Sequence, residues 1–249
     1  MGKIDKIIEG KIFIAGPCSI ESKEHIFKMA KEVKVRGANV LRGGAFKPRT
    51  SPHSFQGLGK EAIKYLIEAK YKYDIPIITE IVDQRYIDFY EEVDIIQVGA
   101  RNMQNFELLK ALSKLEKPIL LKRNMGATLD ELISASEYLR ANGNDKILLC
   151  ERGIRTFENS TRYTFDVNAV AVLKAKTDLK VIVDPSHATG ISDYVESAAL
   201  AGIAAGCDGL MIEVHDNPLE ALTDKDQAIS HQQLEAIIDK SKRIIDVLK

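Results

Sequence analysis

The chain has 249 residues, of which 45% are hydrophobic and 29% charged, with a formal net charge of −1. That length suits one eight-stranded α/β barrel with a full core, and a charge so near zero excludes a protein that works by global attraction to nucleic acid or to an anionic membrane. Cys18, Cys150 and Cys207 are too few and odd in number for a disulfide scaffold, and neither a signal peptide nor an apolar run approaching ~18 residues is present, so one domain spanning 1–249 in a reducing cytoplasm is expected.

In chain order, the first eleven residues, MGKIDKIIEGK, set two short apolar pieces among charges and predict a small hairpin, or a tail, at the bottom of the domain. The chain then alternates: strand 12–18, helix 21–36, strand 39–45, helix 56–73, strand 76–82, helix 84–91, strand 95–100, helix 104–114. The second half repeats the pattern with strand 118–124, helix 128–142, strand 147–153, helix 166–176, strand 181–187, helix 192–205, strand 209–215 and helix 230–248. Near-continuous apolar runs are what a parallel sheet covered on both faces requires. The helices follow from periodicity and punctuation; Leu129, Leu132, Ile133, Ser136 and Leu139 make one stripe behind a Thr128 cap, and Gly143 closes the segment. This is the pattern of a (β/α)8 TIM barrel. A doubly wound open sheet would bring a glycine-rich phosphate fingerprint after its first strand, and GPCSIES is not one.

Ten polar or thiol side chains recur at or just beyond the C-terminal ends of the apolar runs: Cys18, Arg42, Lys47, Glu80, Arg101, Lys122, Arg152, Asp184, His187 and Glu213. In this fold such positions converge on one face and carry the chemistry. Arg42, Lys47, Arg49, Arg101, Lys122 and Arg152 are cations that Glu80, Glu151, Asp184 and Glu213 could neutralise as a purely structural network. Six cations at one face point instead to a pocket for a polyanion, because guanidinium groups match carboxylate and phosphate.

A second constellation is Cys18, His187, Glu213 and a downstream aspartate, for which Asp224 is the first choice. Taken singly, Cys18 reads as a small core residue and His187 as a loop hydrogen-bonder. Together at strand ends they read as a divalent metal site, in which thiolate and imidazole suit zinc, iron, cobalt or copper and the carboxylates also admit manganese. His215, two residues from Glu213 on the same strand face, is a candidate supporting partner for it. Cys150 and Cys207 read as packing residues, and His25 and His231 as surface groups on outer helices.

The segments IAGPCSIES (14–22), LRGGAFKPRTSPHSFQGLG (41–59), IIQVGARNMQN (95–105), PILLKRNMG (118–126), ILLCERG (147–153), VIVDPSHATG (181–190) and GLMIEVHDNPLEALTDKDQ (209–227) resemble 3-deoxy-D-arabino-heptulosonate 7-phosphate (DAHP) synthases of type Iβ, from about residue 12 to residue 248. The resemblance implies condensation of phosphoenolpyruvate with erythrose 4-phosphate, the entry to the shikimate pathway. It implies metal ligation by Cys18, His187, Glu213 and Asp224, with Cys18, His187 and Lys47 as the catalytic set. Phosphoenolpyruvate would be held by Arg42, Lys47, Lys122 and Arg152, and the sugar phosphate by Arg49, Thr50, Ser51 and Arg101. It also implies Lys47 as the proton donor to the developing alkoxide, leaves water activation open among metal-bound water, Glu80 and Asp184, and suggests a homotetramer. A related family, the 3-deoxy-D-manno-octulosonate 8-phosphate synthases, uses arabinose 5-phosphate and carries Lys-Ala-Asn-Arg where this chain has Lys47-Pro48-Arg49-Thr50. A non-catalytic phosphometabolite sensor is the alternative from another class. With the barrel starting near residue 12 and the last helix reaching the C-terminus, the short form of the enzyme, without a regulatory domain or inhibition by aromatic products, is the expectation.

Overall fold

Isoleucine, valine and leucine runs with apolar side chains on both faces form the strands, because alternate residues can be buried on opposite sides of one sheet. The structure, a computed structural model, describes residues 2–47, 51 and 53–248. Eight parallel strands, β1 (Ile12–Gly16), β2 (Val40–Arg42), β3 (Ile77–Ile81), β4 (Ile95–Val98), β5 (Ile119–Lys122), β6 (Ile147–Glu151), β7 (Lys180–Val183) and β8 (Gly209–Glu213), pair in sequence order. β1 closes the barrel against β8, Ile12 lying beside Gly209 and Gly16 beside Glu213. The TIM barrel expected from the sequence is therefore the observed fold.

The period of two sorts the core into two layers. Ile12, Ile14, Val40, Ile78, Leu148, Ile182 and Met211 fill the barrel interior together with Cys150. Phe13, Ala15, Leu41 and Ile77 point outward into the layer shared with the helices. That outer ring comprises α2 (Lys23–Val35), α3 (Lys60–Tyr73), α4 (Phe106–Ser113), α5 (Leu129–Arg140), α6 (Asn168–Lys176), α8 (Ser192–Ala204) and α9 (His231–Val247). In α2 the buried Ile26, Met29, Ala30 and Val33 keep the spacing of one helical face, and Ser22 caps the helix by accepting from His25 N at 3.0 Å. The Thr128–Glu131 capping box starts α5 as its sequence predicts.

Three local expectations are corrected. Residues 3–9 form a helix, α1 (Lys3–Glu9), rather than a hairpin. Ile4, Ile7 and Ile8 are spaced for one helical face and pack against the interior cluster, closing the bottom of the barrel. Asp5 accepts from Gly2 N at 2.9 Å at the start of that helix, and its carboxylate lies 3.2 Å from Lys146 Nζ. The segment expected as helix 84–91 is a 3-10 helix, Gln84–Tyr90, whose end is pinned by Tyr90 Oη donating to Glu80 O at 2.6 Å. Finally, β7 stops at Val183 because Asp184 caps a short helix, α7 (Pro185–Thr189), with Pro185 in its first turn. His187 is thus delivered by a helical turn and not by a strand.

The upper end of the barrel is drawn tight by glycine. A Cβ at Gly16, whose φ is 148°, would lie 2.1 Å from the Arg42 carbonyl oxygen, and one on Gly99 would lie 2.0 Å from Glu80 Oε1. Both close approaches bring functional strand ends within reach of one another.

Candidate active site

The strand ends place their polar residues around one open pocket of about 290 Å³, lined by Arg42, Lys47, Glu80, Gln97, Arg101, Lys122, Arg152, His187 and Asp224, with Ser51 at its rim. Cys18 lines a small adjoining cavity with Arg42, Lys47, Glu80 and Gln97. Arg49 and Thr50, expected at the sugar-phosphate end, lie outside the described residues.

Cys18, His187, Glu213 and Asp224 each offer one ligand atom, and these four atoms all lie within 4.8 Å of one another. The order of elements explains the convergence: Cys18 follows β1, Glu213 ends β8 beside Gly16, His187 sits in α7, and Asp224 comes from the β8–α9 loop. Cys18 Sγ donates to Asp224 Oδ2 at 2.9 Å and accepts from Lys47 Nζ at 2.8 Å. Burial, reinforced by the Glu213 charge, pushes this thiol up to about 12, so it stands protonated. Asp224 remains ionised despite its own burial, because Lys47 and the Cys18 hydrogen bond hold its carboxyl well below the usual range.

His187 Nδ1 lies 2.8 Å from Asp184 Oδ2, and Asp184 Oδ1 accepts from His187 N at 3.0 Å. Asp184 thereby fixes the ring, and His187 Nε2 faces Glu213 Oε1 at 3.4 Å. Glu213 is fully buried; Gln227 Nε2 donates to its Oε2 at 2.6 Å, and its backbone N donates to Ser186 Oγ at 3.0 Å. Arg42 Nη1 lies 2.9 Å from Glu213 Oε1, but at an angle that leaves both atoms without a hydrogen bond. A buried carboxylate oxygen with no hydrogen bond, beside a fixed imidazole, a thiol and a second carboxylate, is a donor set that fits a divalent cation.

The cations divide into two groups. Arg42, Lys122 and Lys47 face carboxylates, with Lys122 hydrogen-bonded to Asp184 and Lys47 Nζ 3.8 Å from Asp224. Arg152 is 4% exposed, lies over the Tyr163 ring at 4.3 Å, and keeps its Nη1 without a hydrogen-bond partner. Glu151, offered by the sequence as a neutralising carboxylate, is turned away from the pocket to Arg123 Nη1 at 2.8 Å and Gly153 N at 2.7 Å. The structural-network reading thus accounts for three cations and leaves Arg152 as a charge that wants an anion.

Several pocket residues were missed in the sequence, among them Gln97, Met125, Arg162 and Tyr163. Arg162 and Tyr163 come from the long connection between β6 and α6, folded back by a bridge between Ile154 and Thr164. Arg162 Nη1 donates to Gln227 Oε1 at 2.8 Å and to Asp224 Oδ1 at 3.3 Å. The only signal available was the length of the connection, since long loops on this face carry function.

The other histidines differ from expectation. His215 does not support Glu213; its ring lies against that of His25, tilted by 41° at a centroid distance of 4.6 Å, beside Glu21 and Asp216. Neither His25 nor His231 is a surface group: the His25 side chain is 10% exposed and His231 is 9% exposed, because both lie at helix starts tucked under neighbouring chain. Cys207 is buried in the outer layer, as expected of a packing residue.

A model of the DAHP synthetase I family matches residues 4–248. The chain belongs to this family. It is 44% identical to a phospho-2-dehydro-3-deoxyheptonate aldolase of Thermotoga maritima over 94% of this chain and 70% of that relative. The crystal structure of the T. maritima enzyme, also called DAHP synthase, superposes with a TM-score of 0.92 at 44% identity, covering 96% of this chain and 71% of that one. A truncated form of the same enzyme superposes at 0.89 with 40% identity, covering 96% and 87% of the two chains. A 2-dehydro-3-deoxyphosphooctonate aldolase of Pisum sativum is 30% identical over 95% of this chain and 89% of its own. Within the family, the heptonate enzyme is therefore the nearer of these two kinds of relative.

Burial lowers His187 from the ordinary histidine value of 6.5 to about 4, with Asp184 and Glu213 opposing the shift only in part, and burial also lowers His25 and His231. The unfolded chain therefore takes up protons below pH 6.5 that the folded chain refuses until about pH 4, so stability falls as the pH drops through that window. With chelator present, the urea midpoint is expected to decline between pH 7 and pH 4.5, and His187→Asn to flatten that decline. An identical slope in the variant would contradict the assignment.

Proposed function

We propose that the protein is a metal-dependent DAHP synthase, joining phosphoenolpyruvate to erythrose 4-phosphate and releasing phosphate. The observation that carries this is the four-donor cluster of Cys18, His187, Glu213 and Asp224, set against a pocket whose buried Arg152 lacks an anion. The 44% identity to the T. maritima heptonate aldolase supports the choice over the octulosonate reaction. Residues 1–249 act as one catalytic domain in this reading, which extends by family likeness to a cytoplasmic homotetramer; among the described residues no helix is long and apolar enough to cross a membrane.

Cys18, His187, Glu213 and Asp224 would hold a divalent ion of manganese, zinc, iron or cobalt, which when bound supplies Lewis-acid polarisation of the aldehyde oxygen. Arg152, with Lys122 and Arg42, binds the phosphate and carboxylate of phosphoenolpyruvate, filling the unpaired guanidinium valence. Arg101 and Ser51 face the sugar-phosphate end of the pocket, where Arg49 and Thr50 are also assigned. As C3 of phosphoenolpyruvate bonds to the aldehyde carbon, Lys47, ammonium-bearing and next to Cys18 and Asp224, delivers a proton to the alkoxide. Water then adds at C2 and the C2–phosphate bond breaks. Of the two carboxylates considered for activating that water, Asp184 is committed to His187 and Lys122, whereas Glu80 lines the pocket, its Oε2 accepting from Gln97 at 3.0 Å.

Phosphate release from phosphoenolpyruvate tests the substrate assignment. Erythrose 4-phosphate should exceed arabinose 5-phosphate in kcat/KM by at least about tenfold, and Arg152→Ala should lower kcat/KM for phosphoenolpyruvate by about 10–100-fold. Equal or better rates with the five-carbon sugar would contradict it. The metal assignment is tested by titrating divalent ion into chelator-stripped protein in buffers of different ionisation enthalpy. The Cys18 thiol, protonated in the free site, should give up about one proton on binding, and Cys18→Ala should lose both that proton and most of the affinity. Binding without proton release by the wild-type chain would refute thiolate ligation.

A further inference from the structure

The chain leaving β1 and the chain leaving β8 are joined by three successive contacts that run outward from the candidate metal centre. Cys18 Sγ donates to Asp224 Oδ2 at 2.9 Å, Ser19 Oγ and Thr223 Oγ1 lie 2.8 Å apart in a buried hydroxyl pair, and Leu222 N donates to Glu21 Oε1 at 2.8 Å. Asp224 needs such support. Its φ of 50° places it in the left-handed region, which among described non-glycine residues only Asp74 shares. A residue with a Cβ stays there only where its surroundings over-determine the conformation.

Glu21 faces the β8–α9 loop a second time. His215 Nδ1 accepts from Asn217 N at 3.0 Å, which puts the ring proton on Nε2, and Nε2 points at Glu21 Oε1 from 3.4 Å. One carboxylate oxygen thus faces both the exit of β8 and the residue two before Asp224. On the far side, Lys28 Nζ donates to Asp216 Oδ2 at 2.6 Å and His25 Nε2 lies 3.4 Å from Asp216 Oδ1. Ligand atoms of Glu21, His25 and His215 lie within 4.8 Å of one another, but His25 Nδ1 and Nε2 and His215 Nε2 make no hydrogen bond, so the bond that ties Glu21 to the β8–α9 loop is the one from Leu222 N.

We propose that Glu21 is a positioning residue for Asp224: by holding Leu222 N and facing His215 it keeps the β8–α9 loop in the conformation that presents the aspartate carboxylate to Cys18, His187 and Glu213. The inference rests on the reading of Asp224 as a metal ligand. Glu21 touches neither substrate nor metal, so its effect is on affinity for the ion. Glutamine at this position retains an oxygen for Leu222 N; alanine removes it.

The test is the affinity of chelator-stripped protein for Mn²⁺ and Zn²⁺, measured by competition with a chromophoric chelator, alongside thermal unfolding of each variant. Glu21→Ala is expected to weaken binding by about tenfold, Glu21→Gln to bind within about threefold of wild type on that scale, and Glu21→Ala to add nothing in an Asp224→Ala background. Wild-type affinity in Glu21→Ala, beside a large loss in Asp224→Ala, would overturn this inference alone. So would a further loss in the double variant, because the effect would then bypass Asp224. Wild-type affinity in Asp224→Ala would overturn the ligand assignment and this inference with it. Should Glu21→Ala not fold, Glu21→Asp, whose carboxylate is one methylene shorter and falls short of Leu222 N, is read in its place, and wild-type affinity in that variant would contradict the proposal.

Discussion

Burying charge is the constraint on which this structure turns. Arg42, Lys122, Arg152, Asp184 and Glu213 are each at most 5% exposed, and stripping water from an ion costs several kcal/mol unless a partner replaces it. The fold answers by interleaving signs around the barrel mouth: Lys122 on Asp184, Asp184 on His187, Arg42 beside Glu213, and Lys47 between Cys18 and Asp224. Among the described residues at the mouth, three buried atoms make no hydrogen bond: Glu213 Oε1 and Arg42 Nη1, which lie 2.9 Å apart beside the thiol–imidazole cluster, and Arg152 Nη1. In the proposed reaction a metal ion would meet Glu213 and a phosphorylated acid would meet Arg152.

Everything that holds these groups in place is ordinary barrel construction. The interior layer of Ile12, Ile14, Val40, Leu148 and Met211, closed below by α1, fixes the strands. Their upper ends are then brought close at Gly16, where a Cβ would meet the Arg42 carbonyl, and at Gly99, where it would displace the Glu80 carboxylate. Residues that come from loops need extra restraint, and each has it: His187 through the α7 cap at Asp184, Arg162 through Gln227, and Asp224 through the contacts from Cys18 to Glu21.

The barrel was legible in the sequence because its signal is local: apolar runs of strand length, punctuated by capped amphipathic segments. Arg42, Lys122 and Glu213 were legible for the same reason, each closing an apolar run. Cys18, His187 and Asp224 were weak alone and became a constellation only when the fold placed them together. Arg162 and Tyr163 were not legible, since a polar loop carries no period from which its fold-back can be read. Nor was the partnership of His25 with His215, which are far apart in the chain and meet only because β8 closes on β1. The hairpin expected in the first eleven residues failed because three isoleucines at helical spacing, with a barrel floor to cover, outweigh the charges between them.

If Cys18, His187, Glu213 and Asp224 form one divalent metal centre, as the whole mechanism requires, anomalous diffraction tests it most directly, from a crystal grown with Mn²⁺ and with data on both sides of the manganese absorption edge. The expected result is a single strong anomalous peak bounded by Cys18 Sγ, His187 Nε2 and the carboxylates of Glu213 and Asp224, with Lys47 displaced from the sulfur it now contacts. A protein that is active in the crystallisation buffer but shows no peak there, or a peak at another group of side chains, would contradict it.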